Sequence, residues 1–120
     1  MLPPSEELHA RLAGLLANIR GAQGSADGAI AAAEAAASRA GARASEGWMQ
    51  AQQSLSAAIA ARYPITRSLG DLDALAATAV QQQGGLVPAD LAQLRQAVDA
   101  AAAIDRRQAE RIDAIQARLR

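Results

Sequence analysis

The sequence predicts an all-α protein, an antiparallel bundle of about four helices that is alanine-rich and packs like a coiled coil. Alanine, the residue with the highest helix propensity, fills 34 of the 120 positions, and phenylalanine is absent. Apolar and small residues recur every three or four positions along two long stretches, which is the period of one helix face. Because 120 residues suit one domain, residues 1–120 are interpreted as a single helical domain.

The first predicted helix covers residues 5–20. Ser5 is a good N-cap, and the two glutamates after it suit the positive end of the helix dipole. Residues 21–28 contain three glycines, and Gly21 fits a helix C-terminus. The sequence therefore predicts a break at 21–28, with a weakened continuous helix as the alternative. The apolar face of this helix consists of Leu8, Leu12, Leu15, Leu16 and Ile19.

The second predicted helix is long and covers residues 27–62, a length of about 50 Å at 1.5 Å per residue. Its interior includes Gly41 and Gly47, which lower helix propensity but let a neighbouring backbone come close. Tyr63–Pro64 ends it, because a residue before proline avoids the α region. Its stripe consists of Ile30, Ala33, Ala37, Ala40, Ala44, Trp48, Ala51, Leu55, Ile59 and Arg62.

Two more helices are predicted, over residues 68–83 and 88–119. Gly84 and Gly85 end the third helix, and Pro88 fits the first turn of the fourth. The expected order is short, long, short, long, with the long helices forming the axis. In the fourth helix the three-four alternation is that of a coiled-coil heptad. Its stripe consists of Leu91, Leu94, Val98, Ala101, Asp105, Gln108, Ile112, Ile115 and Leu119.

The overall charge does not favour nucleic acid or a charged membrane surface as a partner. Twelve basic residues, all arginine, balance twelve acidic ones, so the chain lacks the basic excess of most DNA-binding domains. The first ten residues do not resemble a secretion signal, and no apolar run approaches the roughly 20 residues that span a bilayer. We expect a cytoplasmic protein without a membrane span.

The sequence contains no recognisable catalytic, metal-binding or nucleotide-binding motif. Cysteine is absent and His9 is the only histidine, so a zinc site with several nitrogen or sulfur ligands is not expected. His9 could act as a base beside Glu6, but an exposed polar residue next to the leucine stripe is the simpler interpretation. We predict no enzyme activity, no cofactor and no metal.

A thin core suggests that the chain associates with a second copy. Leucine, isoleucine and valine together fill only 23 positions, and thin cores in long helices are commonly completed by another chain. Trp48 is the largest anchor, since tryptophan is enriched at interface hot spots, and a ligand or partner pocket is its alternative role. A homo-oligomer, most simply a dimer, is expected, and an unidentified protein partner is possible. The expected interface residues are Trp48, Leu94, Val98, Ile112, Ile115 and Leu119.

Two polar residues, Asp105 and Gln108, interrupt the stripe of the fourth helix. Polar residues in such a seam set register or oligomeric state by hydrogen bonding across it. They could instead line a polar cavity, or the seam could rotate so that Ile104 takes the place of Asp105 and Asp105 stays in water.

A separate feature is Tyr63, which has an arginine on either side of it in the sequence. This stretch could bind a phosphate or an acidic partner, or Tyr63 could simply pack in a turn.

The sequence thus favours a non-enzymatic interaction or scaffold protein that works as a homo-oligomer. One alternative is a small nucleic-acid-associated regulator, and another is a ligand-binding bundle. The nucleic-acid alternative would use the arginines of the last helix. Because acidic residues are interleaved with these arginines, the simpler interpretation is a solvent-exposed helix face with salt bridges. These arginines are Arg106, Arg107, Arg111, Arg118 and Arg120.

Overall fold

The computed structural model describes residues 4–81 and 88–120, and it confirms the all-α prediction. Four helical segments follow one another: α1 Pro4–Ser38, α2 Glu46–Ala61, α3 Tyr63–Gln81 and α4 Pro88–Leu119. Only Arg62 separates α2 from α3, so together they form one bent helix. Over the described ranges the chain is therefore a bundle of three long helices, 61 × 22 × 16 Å in extent.

Side-chain contacts between the helices define an up-down-up arrangement. Gln23 of α1 lies beside Gln108 of α4, and further along both helices Asp27 pairs with Arg111, so α1 and α4 run parallel. Hydrogen bonds link Trp48 of α2 to Leu119, near the end of α4, and Arg62 to Asp105, well before that end. The bent helix α2–α3 is therefore antiparallel to α4, and the short connection after α1 makes it antiparallel to α1 as well.

The predicted break at 21–28 is wrong, because α1 is one helix of 35 residues. The three glycines of this segment lie on the exposed side of α1. On the inner side, packing continues at three- and four-residue spacing and outweighs the glycine cost of about 1 kcal/mol each. The short first helix 5–20 is thus absent, and so is the short-long-short-long order. The buried side chains that continue through the segment are Ile19, Gln23, Ala26 and Ile30.

The predicted second helix 27–62 is interrupted at residues 39–45, which connect α1 to α2. Gly41 has φ +68°, a left-handed conformation that glycine adopts without strain, and Ala44 has φ 67°. The hydroxyl of Ser45 accepts a hydrogen bond from the amide of Trp48 and so caps α2. The continuous small-residue stripe folds back on itself, and its two halves face each other across the α1–α2 hairpin.

The bend between α2 and α3 lies at Arg62, and α3 begins at Tyr63 rather than at 68. Pro64 falls in the first turn of α3, where a missing amide hydrogen is tolerated. The predicted fourth helix 88–119 corresponds to α4, which is helical from Pro88, the first described residue after 81, and ends at Leu119. The predicted end of the third helix at 83 lies outside the described residues.

Two groups of buried side chains form the core. We call the group between α1, α2 and α4 the large cluster, and it consists of Ile30, Ala33, Ala37, Ala40, Ala51, Leu55, Ala58, Ile112, Ile115 and Leu119. We call the group between α1, α3 and α4 the small cluster, and it consists of Leu12, Ile19, Leu72, Leu75 and Ala101. Among the described helices, none combines the length and apolar character needed to cross a membrane.

Gly47→Ala tests how closely α1 and α2 approach at their connection. A Cβ at Gly47 would lie 2.9 Å from the carbonyl oxygen of Ala40 and 3.1 Å from that of Arg39. We expect this variant to lose about 1–3 kcal/mol of unfolding free energy, the usual cost of overpacking. Urea denaturation measures the change as a lower midpoint with an unchanged slope.

Gly70→Ala is the matched control, because a Cβ at this position in α3 would meet no atom within 4 Å. It should gain up to about 1 kcal/mol from helix propensity. Equal effects of the two exchanges would contradict the close approach at Gly47.

Candidate functional site

A polar layer lies between the two apolar clusters. The side chain of Gln108 is buried, and its amide donates a hydrogen bond to the backbone carbonyl of Gln23 at 3.0 Å. Gln23 is also buried, and its amide donates to the carbonyl of Ala101 at 3.2 Å. These two bonds run in opposite directions between α1 and α4, so they hold the two helices in one register.

An ion pair at the bend completes the polar layer. Arg62 donates to the carboxylate of Asp105 at 2.6 Å and to its backbone oxygen at 3.3 Å. The two side chains are 20% and 25% exposed, so water screens the pair less than it screens a surface pair. The pair connects the α2–α3 junction to the middle of α4. Within the described residues, two buried atoms of the layer lack a hydrogen-bond partner, Nε of Arg62 and Oε1 of Gln108.

The structure brings the two predicted seam residues together and supplies their partners from the same chain. Asp105 and Gln108 lie in one layer, as the stripe predicted, with Arg62 and Gln23 opposite them. The sequence interpretation missed Gln23 because it fell in the predicted break. The signal was its position, four residues after Ile19, which keeps it on the inner face. That this layer sets an oligomeric state stays a prediction.

The residues predicted to form an interface between copies lie mostly in the core of one chain. Ile112, Ile115 and Leu119 are only 3–5% exposed within the large cluster. Val98 is partly buried against the small cluster, and the side chain of Leu94 lies outside the described residues. A second copy cannot reach the three buried side chains unless the bundle opens, so exchanging Ile112 or Ile115 for aspartate would test folding rather than assembly.

Trp48 anchors the end of the bundle at which α1 and α4 finish. Its ring packs partly buried against the large cluster, and its indole N–H donates to the carbonyl of Leu119 at 2.8 Å. The bond fixes the ring and satisfies one of the free carbonyls at the end of α4. Trp48 is thus an internal anchor within one chain.

Beside Trp48 lies an open cleft of about 260 Å³, which we call the basic cleft. It forms where the last turn of α1, the 39–45 connection and the end of α4 meet. Three arginines line it together with the edge of the indole, and its exposed lining is mainly polar. The lining residues are Ala37, Ser38, Ala40, Gly41, Arg43, Trp48, Arg118, Leu119 and Arg120.

The other arginines of α4 are placed differently. Arg111 binds the carboxylates of Glu34, at 2.5 Å, and of Asp27. Hydrogen bonds to Glu34 and then to Asp27 raise the pKa of Arg111 further above its already high value. Arg106 and Arg107 are exposed. The arginines of the last helix therefore do not form one continuous basic surface.

The remaining candidates with described side chains do not form a reactive group. Tyr63 is 68% exposed and begins α3 at the bend, while the neighbouring Arg62 pairs with Asp105. The side chain of His9 lies outside the described residues. Across 4–81 and 88–120, apart from the few side chains left undescribed, no three His, Cys, Asp or Glu side chains are grouped as a metal site would require.

Asp105→Ala tests the contribution of the ion pair to stability. It should lower the unfolding free energy by about 1–2 kcal/mol, because the exchange leaves the Arg62 guanidinium partly buried without its carboxylate. Asp113→Ala, an exposed position on the same helix, should change it by less than about 0.5 kcal/mol. Thermal unfolding of both variants at one pH makes the comparison, and a similar loss in both would contradict this role.

Comparisons with known proteins do not indicate a function for this chain. Protein-family models, curated proteins and solved structures were all compared with the chain, and none of the three gives a match. The polar layer, the basic cleft and the outward faces of the helices are therefore the features from which a function is argued.

Proposed function

We propose that this chain is a non-enzymatic helical interaction protein that works as a homo-oligomer, with the outward side of α1 as its contact surface. The observation that carries the proposal is a row of exposed small residues along this helix, which we call the small-residue face. It consists of Ala10, Gly14, Ala17, Gly21, Gly24, Gly28, Ala31 and Ala35.

The spacing of the small-residue face is that of a helix–helix seam. Its positions alternate by four and three residues throughout, as the contact positions of a two-stranded coiled coil do. Side chains this small allow two helix axes to come close together, so that backbone and Cβ atoms provide the contact. The same rule governs the alanine-lined contact between α1 and α2 inside the bundle.

No contact within the described part of the chain explains the glycines of this face. The four glycines cost about 1 kcal/mol each against alanine in a helix interior. A Cβ added at any of them would meet no atom within 4 Å, so the chain's own packing does not require glycine there. Close approach of a second helix would require it.

Charged residues beside the face complement each other in an antiparallel pair. Arg20 flanks the face on the same side as Asp27 and Glu34, seven and fourteen residues further on. Around a two-fold axis between Gly21 and Gly24, Arg20 of each copy meets Asp27 of the second copy. Asp27 and Glu34 carry two negative charges, and Arg111 of the same chain neutralises one of them. One negative charge therefore remains to attract Arg20 of the second copy.

Molar mass in solution tests this proposal. Light scattering across a concentration series should give a dimer for the natural chain. Gly24→Leu should shift the chain toward monomer, because a leucine at the axis separates the helices. Gly70→Leu, at an exposed glycine of α3, is the matched control and should remain a dimer.

Charge reversal tests the orientation of the two copies. Arg20→Glu places like charges together in the antiparallel dimer and should raise the dimer dissociation constant about three- to tenfold. Arg67→Glu, an exposed arginine of α3, should leave it unchanged. A natural chain that is monomeric throughout the series, or a Gly24→Leu variant that dimerises as before, would refute the proposal.

A further inference from the structure

We propose that the basic cleft beside Trp48 binds the phosphate group of a small molecule. The cleft has an indole fixed at its edge, three arginines that make no ion pair with the described residues and a size that suits a small ligand. Each observation is independent of the small-residue face. It lies at one end of the bundle, whereas the small-residue face runs along its side.

The positive charge at the cleft comes from three arginines. Arg43, Arg118 and Arg120 line it, and none of them makes an ion pair with the described residues. Elsewhere in the chain, Arg11, Arg62 and Arg111 are all paired with carboxylates. A guanidinium donates two parallel hydrogen bonds to phosphate oxygens, so three of them together suit a doubly charged anion.

Several of the free carbonyl groups at the helix ends have partners other than these arginines. Donors from the chain itself already satisfy several of these oxygens. The carbonyls of Ala36 and Ala37 accept backbone hydrogens, and that of Ala35 accepts the Ser38 hydroxyl. The Ser45 hydroxyl donates to Ala40, and the Trp48 indole donates to Leu119. Within the described residues, the side chains of Arg43, Arg118 and Arg120 donate no hydrogen bond, so their donors remain available to a ligand.

The walls of the cleft are held in place before any ligand arrives. The bond from the indole to Leu119 fixes the ring of Trp48. Ser45 caps α2 and donates to the carbonyl of Ala40, a bond that closes the 39–45 connection on itself. A pre-formed site loses less conformational entropy on binding than a mobile one does.

The volume of the cleft favours a small ligand over a polymer. About 260 Å³ accommodates a phosphate group with a small organic residue. The exposed edge of the indole would contact the organic part, while the arginines hold the phosphate. Inorganic phosphate offers the same charge without that contact, so a phosphate ester should bind more tightly if the indole contributes.

Trp48 provides the readout, because it is the only tryptophan of the chain. The natural chain is titrated with inorganic phosphate, with ribose 5-phosphate and with sodium chloride at equal ionic strength, and indole fluorescence is followed. Calorimetry on the same samples detects binding that leaves the fluorescence unchanged. We expect saturable binding of a phosphate species and only a shallow response to chloride.

Charge-removing variants place the binding in the cleft. Arg118→Gln and Arg43→Gln should each raise the dissociation constant about tenfold, the effect of losing a charged hydrogen bond. Arg106→Gln, at an exposed arginine on the same helix as Arg118, should leave it unchanged. Tighter binding of ribose 5-phosphate than of inorganic phosphate would identify an ester as the ligand class, and the reverse would identify the free anion.

Two results would overturn the site. One is the absence of saturable binding by both fluorescence and calorimetry. The other is equal weakening in Arg118→Gln and Arg106→Gln, which would indicate general attraction between charges. Molar mass measured on the same variants keeps the two proposals separate, because loss of the cleft should not change the oligomeric state.

Discussion

Alanine side chains line most of the contact between α1 and α2, and the rest of the bundle is built on that contact. Ala33, Ala37 and Ala40 belong to the same buried cluster as Ala51 and Ala58, so the two helices meet with little side-chain volume between them. Each alanine buries little apolar area, but the short distance makes the packing dense. The larger side chains of α4 then close the third side of the core.

The polar layer divides this core and determines how the helices align along their length. Apolar clusters alone would tolerate sliding of one helix past another by a turn, since the stripes are repetitive. The bonds between Gln23 and α4, and between Arg62 and Asp105, form only in one register. The bend between α2 and α3 lies at the same level, so the ion pair also fixes the direction of α3.

Two features of the outer surface carry the functional proposals. The small-residue face of α1 has the spacing and composition of the buried contact with α2, but within one chain it faces water. The basic cleft presents arginines that internal acids leave unpaired, beside an indole that internal bonds hold in place. The contacts of the described residues account for neither feature, and the two proposals rest on that observation.

By itself the sequence determined that the chain is helical, that residues from Pro88 onward form a long helix, and that Asp105 and Gln108 lie in a seam, because propensity and spacing are local properties. Only the tertiary structure decided where the helices break. Glycines at 21–28 stay helical because the residues between them pack inward, while Gly41 turns because the two alanine-lined halves pack against each other. It also decided that Arg62 and Gln23 are the partners of the seam, since helical spacing fixes which face a residue occupies but not what lies opposite.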